Sequence, residues 1–181
     1  MDPIDIIQRY YDSASKAYRI LVSHGRQVAE KALQAAQAVE HLHPNTDLIE
    51  RAAMLHDIGM LGTNVSKLGC NGQEPYIRHG VIGREMLERE GMPAEALICE
   101  RHVGTGISAM EICRRRLPLP KRDMLPVSLE EQIVCYADKF FSKNINRRNS
   151  EKSTQAILKS LARHGDEQVS RFKAWMEIFG F

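Results

Sequence analysis

An all-α fold follows from three features of this 181-residue sequence. Apolar residues recur at three-four spacing along most of it, alternating β-branched runs are few, and no Asn-Gly or Asp-Gly turn joins two apolar stretches. The pattern predicts seven to nine helices in a single-domain bundle over residues 1–181. With 25 Lys and Arg against 23 Asp and Glu, 43% hydrophobic and 27% charged residues, the composition is that of an ordinary globular protein. Disorder, collagen and a coiled-coil rod are excluded. A net charge of +2 also argues against a protein that coats nucleic acid, which needs a large cationic excess to displace counterions. No apolar run approaches the roughly 18 residues of a membrane helix, and Met1-Asp2-Pro3-Ile4-Asp5 has acids where a signal peptide has cations. The expected location is the cytoplasm.

In chain order, an amphipathic segment runs from about Ile4 to Tyr11, and another begins near Ser15. A third covers His24 to Val39, where Leu21, His24, Val28, Ala32, Ala35 and Val39 share one face and His43-Pro44-Asn45 ends it. Asp47-Leu48-Ile49-Glu50 reads as a capping box opening a helix to His56-Asp57, with Gly59 as a left-handed exit. Leu61 to Arg78, with Gly62, Gly69, Gly72 and Pro75, is the longest irregular stretch and the expected lid or substrate loop. Helices resume over Arg78–Glu90, Pro93–His102 and Ser108–Arg116. After a proline-rich link, Ser128-Leu129-Glu130-Glu131 is a second capping box for a helix through Asp138 to about Ser142. Two last helices cover about Ser150–Arg163 and Asp166–Phe179. Phe172, Trp175, Met176 and Phe179 fall on one face there, to pack on the core or on a second subunit of a homo-oligomer. Cys70, Cys99, Cys113 and Cys135 lack metal-knuckle spacing; the three inside helical patterns read as buried thiols.

The chemistry is carried by His24, His56, Asp57, His79, His102 and Asp138, each on or beside an apolar helical face. A buried imidazole or carboxylate must be hydrogen-bonded, paired or bound to a metal. Six of them drawn from five helices point to one polar cluster inside the bundle, where helical proteins build metal sites. His41, His43 and His164 provide the contrast, because they sit at helix ends where a cation suits the dipole and no metal is needed.

At these residues the chain resembles the HD superfamily of metal-dependent phosphohydrolases, through His24, AAMLHDIG at 52–59, RHG at 78–80, ERH at 100–102 and YAD at 136–138. The likeness covers about 16–142 and is greatest to the small stand-alone HDIG hydrolases. It implies an all-helical core with His24, His56, Asp57 and Asp138 around one metal, and Asp57, His79 and His102 around a second, Asp57 bridging. Four imidazoles and two carboxylates suit one or two divalent transition ions, Fe, Mn, Co or Ni, rather than thiolate-rich structural zinc. The implied reaction is hydrolysis of a small phosphorylated substrate, such as a nucleotide.

Three departures narrow what carries over. Many relatives place a Lys directly after the HDIG tetrad, and nucleotidase-type relatives place an acid three residues after its Asp; both positions are Met60 here. Val103-Gly104-Thr105-Gly106 follows His102 in place of a Gly-Tyr-Pro motif, which argues against cyclic-di-GMP hydrolysis. With Asp57 at the centre of the chemistry, phosphate handling falls to Arg78 and Lys67 first, then to Arg101 and Lys139. The basic run Arg114-Arg115-Arg116, with Lys121-Arg122 and Arg147-Arg148, reads as solvated helix ends. Two other readings use the same residues: a di-iron HD-type oxygenase, whose ligand series is similar, and a non-enzymatic HD signalling module. Six intact ligands speak against the second.

Overall fold

Sequence-encoded caps start most of the helices. Asp2 accepts a hydrogen bond from the Ile4 amide at 2.8 Å to open α1 (Pro3–Tyr10), with Pro3 at the first turn where its missing N–H costs nothing. Ser15 caps α2 (Lys16–Ala38) through the Tyr18 amide. Asn45 caps α3 (Thr46–Leu55) through the Leu48 amide, followed by α4 (His79–Arg89) and α5 (Pro93–Arg101). Ser108, Ser128 and Ser153 cap α6 (Ala109–Arg115), α7 (Leu129–Asp138) and α8 (Thr154–Leu161) in the same way, and α9 (Asp166–Phe179) ends the chain. These nine helices belong to a computed structural model that describes residues 2–143 and 151–180.

Several sequence-based boundaries are corrected. The two segments expected from Ser15 and from His24 are one helix, α2. Gly25 does not interrupt it, because a Cβ there would lie 3.1 Å from the Met54 backbone: the glycine is the place where α3 crosses closely. The cap of α3 is Asn45 and not Asp47, since the Asn45 amide already reaches Leu48 and leaves Asp47 in the first turn, where its charge suits the dipole. α7 ends at Asp138, short of Ser142. α8 begins at Thr154, and the expected start at Ser150 lies outside the described residues, as do Arg147 and Arg148.

The stretch expected to be irregular contains a small antiparallel pair, β1 (Asn64–Val65) with β2 (Cys70–Asn71), in register Asn64 to Asn71 and Val65 to Cys70. Gly69, at φ +82°, turns the chain between them, a conformation open to glycine. Local turn chemistry dominates so short a pair, and it leaves no period-two signal. Cys70 is therefore buried on a strand, with Cys99 and Cys135 buried in helices, whereas Cys113 is exposed on α6, contrary to the expectation from its helical pattern.

The apolar core has two main parts. One joins the first turns of α2 (Ala17, Ile20, Leu21) to α1, the end of α3, α4 and α5; the other joins Val28 to Val39 of α2 to α3, α7, α8 and α9. His24 falls between the two stretches of α2. Phe172 and Phe179 are fully buried, with ring centroids 5.1 and 5.3 Å from Tyr136, so α9 packs on this chain's own core. From α9, Gln168 accepts from the Thr105 amide at 2.6 Å and donates to the Gly106 carbonyl at 2.7 Å, bracing the loop after His102. Tyr11 likewise bridges the turn after Asp57, donating to the Ile58 carbonyl at 2.7 Å and accepting from the Leu61 amide at 2.8 Å.

Gly59 has no left-handed φ; its role is contact. A Cβ there would fall 2.1 Å from the His79 carbonyl and 2.2 Å from the Gly83 amide. Gly59→Ala should therefore lower stability by about 3 kcal/mol, by overpacking against backbone that cannot yield. Gly91→Ala, at φ +73° with nothing within 4 Å, should lose only about 1 kcal/mol. Thermal or urea unfolding of the two variants checks the contrast; equal losses would mean that the Gly59 contact is relaxed in solution.

Candidate metal centre

The ends of α3 and α5, the start of α4, the middle of α2 and the end of α7 meet at one place. His56 follows α3, Asp57 follows it, His79 opens α4, His102 follows α5, and Asp138 closes α7. All six predicted ligands, His24 included, are buried, and Asp57 is 0% exposed. His41, His43 and His164 are exposed, as their positions at helix ends led one to expect.

The six form two groups that share Asp57. His24, His56, Asp57 and Asp138 each offer one ligand atom within 4.8 Å of the others, and so do Asp57, His79 and His102. The two oxygens of Asp57 divide between them. Oδ2 lies 3.4 Å from His24 Nε2 and 3.1 Å from His56 Nε2; Oδ1 lies 3.3 Å from His79 Nε2 and 3.5 Å from His102 Nε2. Asp138 Oδ1 completes the first group, 2.9 Å from His24 Nε2 and 3.5 Å from His56 Nε2.

Three histidines are oriented by one device. His56, His79 and His102 each direct Nδ1 to the carbonyl three residues back, at 2.6 Å to Ala53, 2.6 Å to Tyr76 and 2.7 Å to Cys99. A neutral ring that donates from Nδ1 has only a lone pair on Nε2. His79 and His102 then bring two such lone pairs to 3.0 Å of each other, beside the Asp57 carboxylate. Three electron-pair donors facing one point repel unless a cation lies among them. Asp57 Oδ1 also has no hydrogen-bond partner among the described residues. The donor set fits a metal.

The electrostatics agree. Burial holds His24 down at about 4 and His79 at about 3, so both rings stay neutral and able to ligate. Burial also lowers His102. At His56 burial acts downward too, but Asp57 and Asp138 outweigh it and raise the ring to about 9. Burial opposes the charge on both carboxylates; Lys143 and His56 beside Asp57, and Lys139 and Lys143 near Asp138, hold them well below the usual carboxylate range.

Among the expected phosphate contacts, Lys67 lines a cavity of about 770 Å³ whose wall includes Asp138. Arg78 points elsewhere: it pairs with Glu74 at 2.9 Å and donates to the Pro118 carbonyl at 3.0 Å, because the helical turn leading into α4 sets consecutive side chains about 100–120° apart. Arg101 is held by Glu131 at 2.7 Å, and Lys139 by Asp138 at 2.7 Å and the His102 carbonyl at 3.0 Å. Arg115 pairs with Glu111 and Arg122 with Glu100, in keeping with structural roles for those basic residues.

Two residues of the site escaped the sequence reading. Lys143 places its ammonium 2.7 Å from Asp57 Oδ2, and Tyr76 stacks on His79 with centroids 4.5 Å apart. Lys143 lies beyond the end of α7 in no motif; only the spacing of Tyr76 three before His79 was there to be read. Met60, where many relatives carry Lys, is 0% exposed in the core and cannot meet a phosphate. Lys143 supplies a cation at the centre from another direction.

Fold and site define a helical protein with a buried His/Asp cluster able to hold metal. The chain belongs to the HD domain family, whose pattern matches residues 21–142. It is 37% identical over 121 residues to an uncharacterized protein of Methanocaldococcus jannaschii, covering 65% of this chain and 64% of that one. It is also 31% identical, over 140 and 124 residues, to proteins named tRNA (cytidine(56)-2'-O)-methyltransferase from Thermoplasma volcanium and Picrophilus torridus. Those matches cover 77% and 68% of this chain but only 35% and 32% of the relatives, so the chain spans about a third of each. No solved structure matches the chain. No helix among the described residues is long and apolar enough to cross a membrane.

Because Asp57 faces both groups, Asp57→Ala should abolish metal binding at either, while His79→Ala or His102→Ala should weaken only the second group and leave the first able to bind. Metal stoichiometry of the purified variants is the measurement, and equal loss in all three would show one indivisible cluster. Metal loading should also compete with protons. With the His56 ring at about 9 in the metal-free protein, the ring is protonated at neutral pH and must lose that proton to ligate. Affinity should rise with pH up to about 9 and then level off, with about one proton released per first ion at pH 7. Titration calorimetry in buffers of different ionisation enthalpy reads that proton; its absence would place the His56 ring below neutrality.

Proposed function

We propose that the protein is a metal-dependent phosphohydrolase acting on a nucleotide or another small phosphate ester. The observation that carries this reading is a ligand set split across the two oxygens of Asp57 and reaching, through Asp138, a cavity lined by Lys16, Lys67, Lys139, Lys143 and Lys152. A cationic cavity beside a metal-ligating cluster suits an anionic substrate, whereas oxygenation of a neutral one would need no such lining. His24, His56, Asp57 and Asp138 would hold one divalent transition ion, and Asp57, His79 and His102 a second. When bound, such ions supply Lewis acidity toward a phosphoryl oxygen and lower the pKa of water.

The chain's own groups set the rest. The carbonyls of Ala53, Tyr76 and Cys99 fix three imidazoles in the ligating tautomer. Lys143, raised well above its ordinary range by Asp57 although burial opposes it, stays charged, and its ammonium offsets negative charge that builds on phosphoryl oxygens. Its place against Asp57 is also one that a cation entering the first group would contest. The names of two relatives connect them with tRNA, which is in keeping with a nucleotide-like substrate.

A phosphate-release screen over nucleotides, dinucleoside polyphosphates and sugar phosphates, with Mn, Fe, Co, Ni and Mg and a chelator control, tests the reading. Metal-dependent release that persists without O2 is expected; O2 uptake with a mixed-valent iron signal would replace it with oxygenation. Lys143→Met should bind the first ion more tightly, since a competing cation is gone, yet turn over about a hundredfold more slowly. Full turnover in that variant would remove Lys143 from phosphate handling.

A further inference from the structure

The five lysines of the cavity are not equivalent. Lys139 is paired with Asp138 and Lys143 with Asp57, both at 2.7 Å, while Lys152 donates to the carbonyls of Lys139 and Phe141 at 3.2 and 2.6 Å, capping the end of α7. Lys16 and Lys67 are exposed and have no carboxylate partner among the described residues. The fold nevertheless brings their segments together. Gly69 ends the turn that carries Lys67, and a Cβ there would lie 3.2 Å from the Lys16 Cβ and 3.1 Å from the Ala17 amide. That approach, with φ at +82°, is one that a larger residue would strain. Two like charges are thus set on neighbouring segments of one cavity wall without a neutralising acid.

The cavity is larger than one phosphate needs. At about 770 Å³ it falls within the roughly 300–1,000 Å³ of small-molecule sites, and Leu68, Phe141, Ile157 and Leu161 give it an apolar side. Lys16 precedes the family-matched segment, and Lys143, Lys152, Ile157 and Leu161 follow it, so much of this wall lies outside that segment.

We propose that Lys16 and Lys67 form a second anion subsite, and that the substrate is a nucleotide-sized molecule bearing a second phosphate besides the one at the metal centre. The subsite rests on the hydrolase reading for the fate of the first phosphate, but its binding chemistry stands apart. A dianionic phosphate answers two ammonium groups carried on neighbouring segments through charge-assisted hydrogen bonds, and the apolar side accepts the ring system. The second phosphate can follow the first in a chain, as in ADP, or branch from the sugar, as in adenosine 3′,5′-bisphosphate.

Calorimetric titration of chelator-treated full-length protein with AMP, ADP and adenosine 3′,5′-bisphosphate separates these. One or both two-phosphate ligands should bind about tenfold tighter than AMP, and whichever does so identifies the arrangement. Lys16→Ser/Lys67→Ser should bring the ratio to about one with melting temperature and metal content unchanged, and Lys16→Arg/Lys67→Arg should keep the preference. No difference between AMP and both two-phosphate ligands, whether all bind or none do, overturns the subsite, as does a preference that survives the serine pair. If the lysine-dependent preference is present but no metal supports phosphate release, the hydrolase reading fails and the subsite stands. Release from monophosphates without any preference gives the reverse.

Discussion

The structure depends on one buried carboxylate. Asp57 is inaccessible to water and lies within 3.5 Å of four imidazoles, and an unpaired carboxylate at such a place would cost several kcal/mol. Every element around it can be understood as meeting that requirement. α3 must stop at Leu55 so that His56 and Asp57 turn inward, and Tyr11 ties down both sides of the turn that follows. Gly59 and Gly83 let the turn lie directly on α4, which brings His79 to the far oxygen of Asp57. Gln168 of α9 braces the loop after His102, and Cys135 of α7 and Lys139 just beyond its end both donate to the His102 carbonyl. The apolar core is accordingly divided in two, because this polar cluster occupies the middle of the bundle.

Residues that obey a period were legible in the sequence, and residues placed by tertiary approach were not. His24, His56, His79, His102 and Asp138 interrupt apolar helical faces, so their inward direction could be read from spacing, and the exposed positions of His41, His43 and His164 followed from the same rule. The helices themselves were legible for the same reason. Gly59 carries the local signal of a left-handed helix exit, and Gly25 carries no local signal at all. Both are sites of close backbone contact, with Met54 and with His79 and Gly83, that no local rule contains. Arg78 misled because adjacency in sequence to His79 does not survive the turn before α4, where its guanidinium leaves for Glu74. Lys143 was invisible because it lies beyond a helix end and belongs to no repeat.

The charges of the cluster limit what it could select by itself. The two carboxylates of the cluster could at most balance one divalent ion, so a centre with two ions is already cationic before the lysines are counted. Such a site attracts any phosphate and distinguishes poorly among them, since Coulomb attraction is not directional. Discrimination must come from groups set at a distance from the reacting phosphorus. On the proposed reading those groups would be Lys16 before the family-matched segment, Lys67 within it, and the apolar side of α8 after it. All six candidate ligands thus lie in the family-matched segment, whereas Lys16 and the apolar side of α8 lie outside it.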